Sequence, residues 1–233
     1  MKTFADILHQ AEVRKGGSEA LKKLLPPVLS EKKLAKKSDD RFLAMMAKTI
    51  NQAGFSWSVI EKKWPQFEEA FFGFDIDKLS RLSPEQWEAY TKDTRVVRNW
   101  QKIKAVMDNV AFIQREIAEH GSFGVFIAQW PLNDQVGLMY YLKKNGSRLG
   151  GQSNQLFMRY VGKDCFMLTK DVVAAIKSTG VEMADNPSSQ RDLRRAQDIM
   201  NQWHDESGLP YTHISKIAAF SNGENREERS KAS

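Results

Sequence analysis

From Phe4 to Phe220, apolar residues recur at helical spacing, and no stretch alternates with the period of two that a half-buried strand requires. That pattern restricts the chain to an all-α fold built from many short helices. Glycines close several runs, at Gly54, Gly121, Gly162 and Gly180. Ser83-Pro84-Glu85-Gln86 combines a cap, a proline at the first helical position and a capping-box glutamine. Ser58 and Glu61 have capping-box spacing and predict a helix start, Pro65 predicts an interruption of that helix, and Asp75 predicts another cap. The longest pattern runs from about Arg95 to His120.

Asn145 to Asn154 is a glycine-rich turn between two helical patterns, so residues 134–161 form a helix-hairpin-helix. Gly150 and Gly151 admit backbone angles that other residues resist, and the second helix can then begin abruptly at Gln152 and Ser153 with N–H groups exposed. Such a helix start attracts anions. Arg148, with Lys143 and Lys144 nearby, adds positive charge suited to a phosphate backbone. A plain helix–helix turn would use the same two glycines, and the local pattern does not separate the readings.

The 233 residues suffice for one compact unit over 1–221, and residues 222–233, which carry no large apolar side chain, are expected to be a disordered tail. The formal charge of +6 favours a polyanionic partner. One cysteine and four histidines exclude an internal disulfide and argue against a structural zinc cluster, so folding without metal or cofactor is expected. No apolar run reaches membrane-spanning length, and Asp6 and His9 break the opening segment before a signal core can form. These features predict a soluble, cytoplasmic or nucleoid-associated monomer with no membrane contact.

Ile50-Asn-Gln-Ala-Gly-Phe-Ser-Trp-Ser-Val-Ile-Glu-Lys-Lys63, followed by Phe67, Phe71 and Phe74-Asp75, resembles the 3-methyladenine DNA glycosylase I family. So does Asp93-Thr-Arg-Val-Val-Arg-Asn-Trp-Gln-Lys-Ile-Lys-Ala-Val106 with Asn109. The resemblance covers about Phe42 to Trp130, with looser similarity to Val172. It implies a two-lobed helix-hairpin-helix repair fold that holds double-stranded DNA through Arg148, Gly150, Gly151, Gln152 and Ser153. It also implies that Phe55 fills the gap left by a flipped base, while Thr49, Gln52 and Trp57 line the base pocket. Trp57 has an alternative as a core residue.

Three departures accompany the resemblance. The family's usual pocket glutamate is Thr49 here, which carries no charge. The zinc-binding cysteine and histidine set is missing, leaving Trp203 and the final helix to hold the ends. The catalytic aspartate of the wider superfamily falls at Thr169, with Asp171 the nearest carboxylate. Asp171 is therefore the catalytic candidate, and an exposed place in a first helical turn is its structural alternative. Ser153 stands near the place of the lysine that bifunctional enzymes carry, which favours a monofunctional hydrolase acting on an alkylated purine. A catalytically silent DNA-binding relative and a protein–protein module are the competing classes.

Overall fold

The computed structural model describes residues 1–223, and every regular element among them is helical. In order these are α1 (Phe4–Lys15), α2 (Ser18–Lys23), α3 (Glu31–Ala35), α4 (Asp39–Gln52), α5 (Trp57–Ala70), α6 (Ile76–Ser80), α7 (Pro84–Ala89), α8 (Trp100–His120) and α9 (Phe123–Gln129). They continue as α10 (Gln135–Asn145), α11 (Gln152–Val161), α12 (Lys170–Lys177), α13 (Gln190–Ser207) and α14 (Tyr211–Ser221), with a 3-10 turn at Phe72–Phe74. Most of the tail expected over 222–233 lies outside the described residues. The chain divides into two compact units, residues 29–163 and residues 1–28 with 164 onward.

In the first of these, α4 buries Phe42, Leu43, Met46, Ala47 and Ile50 and packs on α8, α9 and α11. Phe42, Phe112 and Phe123 meet at ring separations of 5.3 and 5.4 Å, within the range where aromatic pairs add to area burial. A second cluster corrects the expectation at Pro65. Helix α5 runs through it to Ala70. Proline removes one bond to the Glu61 carbonyl, but Trp64 stacks on Phe67 and Phe74, each at 5.4 Å, and holds the helix on both sides.

Two helix starts also differ from the sequence reading. Helix α5 begins at Trp57 with Ser56 as its cap position, so Ser58 lies inside the helix and the Ser58–Glu61 capping box does not form. Helix α8 begins at Trp100, capped by Asn99, and not at Arg95. Arg95 is held out of the helix by Asp93, whose carboxylate accepts its backbone N–H at 2.8 Å and its guanidinium at 2.7 Å, and by Glu69 at 2.9 Å.

The other unit lays α1 along α14 and buries Trp203 and Tyr211. Phe4 meets Trp203 at 5.3 Å, and Arg14 donates to the carbonyls of Phe220, in the last turn of α14, and of Asn222 and Gly223 just beyond it. The Asp164 carboxylate accepts the N–H groups of Tyr211 and Thr212 and so caps the start of that helix.

Candidate active site

Helix α4 stops at Gln52 because Ala53 turns extended and Gly54 takes a φ of +78°. The following Phe55 is 45% exposed. Beneath it lies Lys102, which is only 6% exposed. The Lys102 Nζ donates to the carbonyls of Asn51 at 3.0 Å and Ala53 at 2.8 Å, and sits 4.4 Å from the centre of the Phe55 ring. Burial, and then the charge of Arg148, push this ammonium down to about 8. Sequence reasoning gave Lys102 no role, although the signal was present: it falls on the same helical stripe as Val106, Asn109 and Ile113, all buried.

Thr49 is fully buried, and its hydroxyl donates to the carbonyls of Met45 and Met46 in its own helix. Gln52, 3% exposed, donates from Nε2 to Glu61 Oε1 at 3.2 Å. A carboxylate only accepts, so this bond orients the amide and leaves Gln52 Oε1 buried without a partner among the described residues. An unpaired buried acceptor costs about 1–3 kcal/mol, a burden that a ligand donor would relieve. Trp57 is 47% exposed and meets Tyr160 of α11 edge-on at 6.4 Å, which removes it from the core. Burial, and next the negative charge of Glu61, raise the Tyr160 phenol.

The hairpin loop is pinned by Asn109, whose side chain accepts the Ser147 N–H at 2.8 Å and donates to the Ser147 carbonyl at 3.1 Å. Leu149 is buried inside the loop. Gly151 has φ 58° and ψ −127°, and the Ser153 N–H donates back to the Gly150 carbonyl at 3.2 Å. This is a type II′ turn, whose second position favours glycine. The bond corrects one detail of the sequence reading: the Ser153 N–H is engaged in the turn, and Gly151 and Gln152 form the exposed edge. Arg148, itself at φ 58°, extends to Gln101 Oε1 at 3.2 Å. Adjacent residues of α8, Gln101 and Lys102, thus touch Arg148 of the hairpin and Phe55 of the α4–α5 loop.

Asp171 lies in the first turn of α12, capped by Thr169, in the unit that contains residues 164 onward. Its carboxyl group rests on Gly223, so closely that a Cβ there would stand 2.6 Å from it. Among the described residues, Glu116, Glu119 and His120 offer ligand atoms within 4.8 Å of one another. Tyr141 donates to Glu116 Oε1 at 2.8 Å and His120 Nε2 stands 3.5 Å from Oε2, which makes this a carboxylate–imidazole pair at the far end of α8 from Lys102. A hollow of about 770 Å³ lined by Asp39, Asp40, Asp75 and Asp77 has the wrong charge for phosphate. No helix among the described residues is long and apolar enough to cross a membrane.

Residues 33–145 match the family model for methyladenine glycosylase. By that segment the chain is similar to the methyladenine glycosylase family. DNA-3-methyladenine glycosylase 1 of Escherichia coli (strain K12) is 33% identical over 66 residues, which are 28% of this chain and 35% of that protein. The chain thus spans about a third of the length of this curated relative. Among solved structures, a mutant of 3-methyladenine DNA glycosylase I from Staphylococcus aureus aligns over 65% of this chain and 91% of its own, with 19% identity and a TM-score of 0.49. Another structure of the Staphylococcus aureus enzyme, on 3-methyladenine recognition, aligns over 54% and 77%, with 21% identity and a TM-score of 0.48. The matched segment carries Thr49, Gln52, Phe55, Trp57, Lys102 and Asn109, whereas Arg148, Gly150 to Ser153, Tyr160 and Asp171 lie beyond it.

Proposed function

We propose that this protein is a monofunctional DNA glycosylase that binds duplex DNA, extrudes an alkylated purine of the 3-methyladenine kind and hydrolyses its N-glycosidic bond. The observation that carries the reading is the start of α8, where Gln101 and Lys102 bring a hairpin arginine and an exposed phenylalanine to neighbouring residues. A base inside a duplex is inaccessible until it is unstacked at a cost of a few kcal/mol. Phe55 is the wedge that fills the vacated place, and Trp57 offers a face for the extruded base, with Thr49 and Gln52 behind it. Arg148, Gly150, Gly151, Gln152 and Ser153 hold the backbone and read no base edge.

Breaking the bond builds positive charge on the sugar, and Asp171 is the carboxylate proposed to stabilise it or to position the attacking water. Asp171→Asn should keep folding and DNA affinity but reduce base release by orders of magnitude. The test is the yield of abasic sites from methylated duplex DNA incubated with purified protein. Wild type is expected to produce them; their absence at any enzyme concentration ends the hydrolase reading. Phe55→Ala should lower the opening of a fluorescent base analogue more than it lowers affinity for undamaged duplex, and equal opening by both proteins removes the wedge. A second reading, a silent relative that binds DNA or damaged DNA, is favoured by Thr49, whose hydroxyl is committed to its own helix. It predicts duplex binding with no abasic product.

A further inference from the structure

Glu61 stands one helical turn beyond Trp57 on the same face of α5, and its side chain is 48% exposed. It accepts from Gln52 Nε2 through Oε1 and pairs with Lys48 through Oε2 at 2.7 Å. The group therefore gathers a carboxylate that faces solvent, a buried amide oxygen with no partner among the described residues, and the exposed Trp57. From these contacts we infer that Glu61 is a specificity-determining residue of the base pocket, and that Glu61 and Gln52 together select a positively charged base bearing N–H donors. The inference rests on the base pocket proposed above.

The chemistry follows from the charges. A neutral purine gains little from a carboxylate, whereas a base alkylated on a ring nitrogen carries a positive charge while still attached to its sugar. That charge passes to the sugar as the bond breaks, so a carboxylate beside the base acts chiefly on binding and selection and does little for the bond-breaking step itself. The Gln52 oxygen accepts a base N–H, and the Glu61 bond to the amide nitrogen keeps that oxygen turned away from Glu61. Lys48 neutralises part of the carboxylate from its other side and works against the preference.

The two neighbours therefore give opposite variants. A permanently charged dialkylated adenine and uncharged adenine are titrated calorimetrically into wild type, Glu61→Gln and Lys48→Met, with circular dichroism confirming the fold of each. Wild type is expected to prefer the charged base at least tenfold, Glu61→Gln to lose that preference, and Lys48→Met to strengthen it about threefold. Equal affinity of wild type for both bases, an unchanged preference in Glu61→Gln, or equal losses in the two variants overturns the assignment. If wild type keeps the charge preference yet forms no abasic sites in methylated DNA, the hydrolase reading fails and the role of Glu61 stands. If abasic sites form but the preference is absent, the reverse holds.

Discussion

Replacing Lys102 with methionine is expected to lower the unfolding free energy by about 2–4 kcal/mol, because two charge-assisted hydrogen bonds disappear while the carbonyls they served stay largely covered. Methionine keeps the unbranched stem and most of the volume, so the loss reports on the ammonium and not on a cavity. The acceptors are Asn51 and Ala53, which flank the end of α4 and set the path of the chain into Phe55. The effect should also depend on pH. The folded-state pKa, about 8, lies below the ordinary 10.5. Between those values the unfolded chain holds more protons than the folded one, so raising the pH through that window favours the folded form. The stability of wild type should therefore rise relative to Lys102→Met from about pH 8 to pH 10, and hold a constant difference below that window. Denaturant titrations of both proteins across the range provide the check; a difference that stays flat would mean that the lysine is not depressed in the folded protein.

Gly151→Val is expected to weaken duplex binding at least tenfold. Among the described residues nothing lies within 4 Å of a Cβ at this position, so space is not the obstacle. The obstacle is the backbone: φ 58° with ψ −127° is a conformation that costs a β-branched residue on the order of 1–3 kcal/mol, and the turn relaxes away from it. Relaxation moves Gly150 and Gln152, the edge proposed to face phosphate. Anisotropy titrations at two salt concentrations separate this from a simple charge effect. Arg148→Ala should lower the salt slope by about one at most and leave the turn intact. Binding by Gly151→Val within twofold of wild type would place the phosphate contacts elsewhere.

The helices were legible wherever a local rule decided the matter. Ser83 forms its capping box with Gln86, Asp75 accepts from Lys78, and Gly162 ends α11 in a left-handed conformation. Local rules misled where a distant partner outweighed them. Stacking of Trp64 on two phenylalanines carries α5 through Pro65, and the Asp93 and Glu69 carboxylates hold Arg95 outside α8. Glu61 shows the same limit at the pocket. Its spacing from Ser58 suggests a cap, but the partners it finds, Lys48 and Gln52, stand one helix away and no periodicity points to them. Lys102 was visible as a charge on an apolar stripe, while its acceptors, two carbonyls some fifty residues earlier, were not.

The doubly bonded Asn109 and the buried Lys102 have a joint mechanical result. Both side chains belong to α8, one fastening the hairpin loop and the other the end of α4. A single rigid rod thus sets the spacing between the arginine and the phenylalanine, as the jaws of a caliper are set by their beam. In the proposed reading, such a gauge tests the width between a held strand and a yielding stack without adjusting itself. Duplexes whose local geometry is already distorted would fit it at less expense than regular ones, so the first discrimination against undamaged DNA would come from shape, before any base enters the pocket.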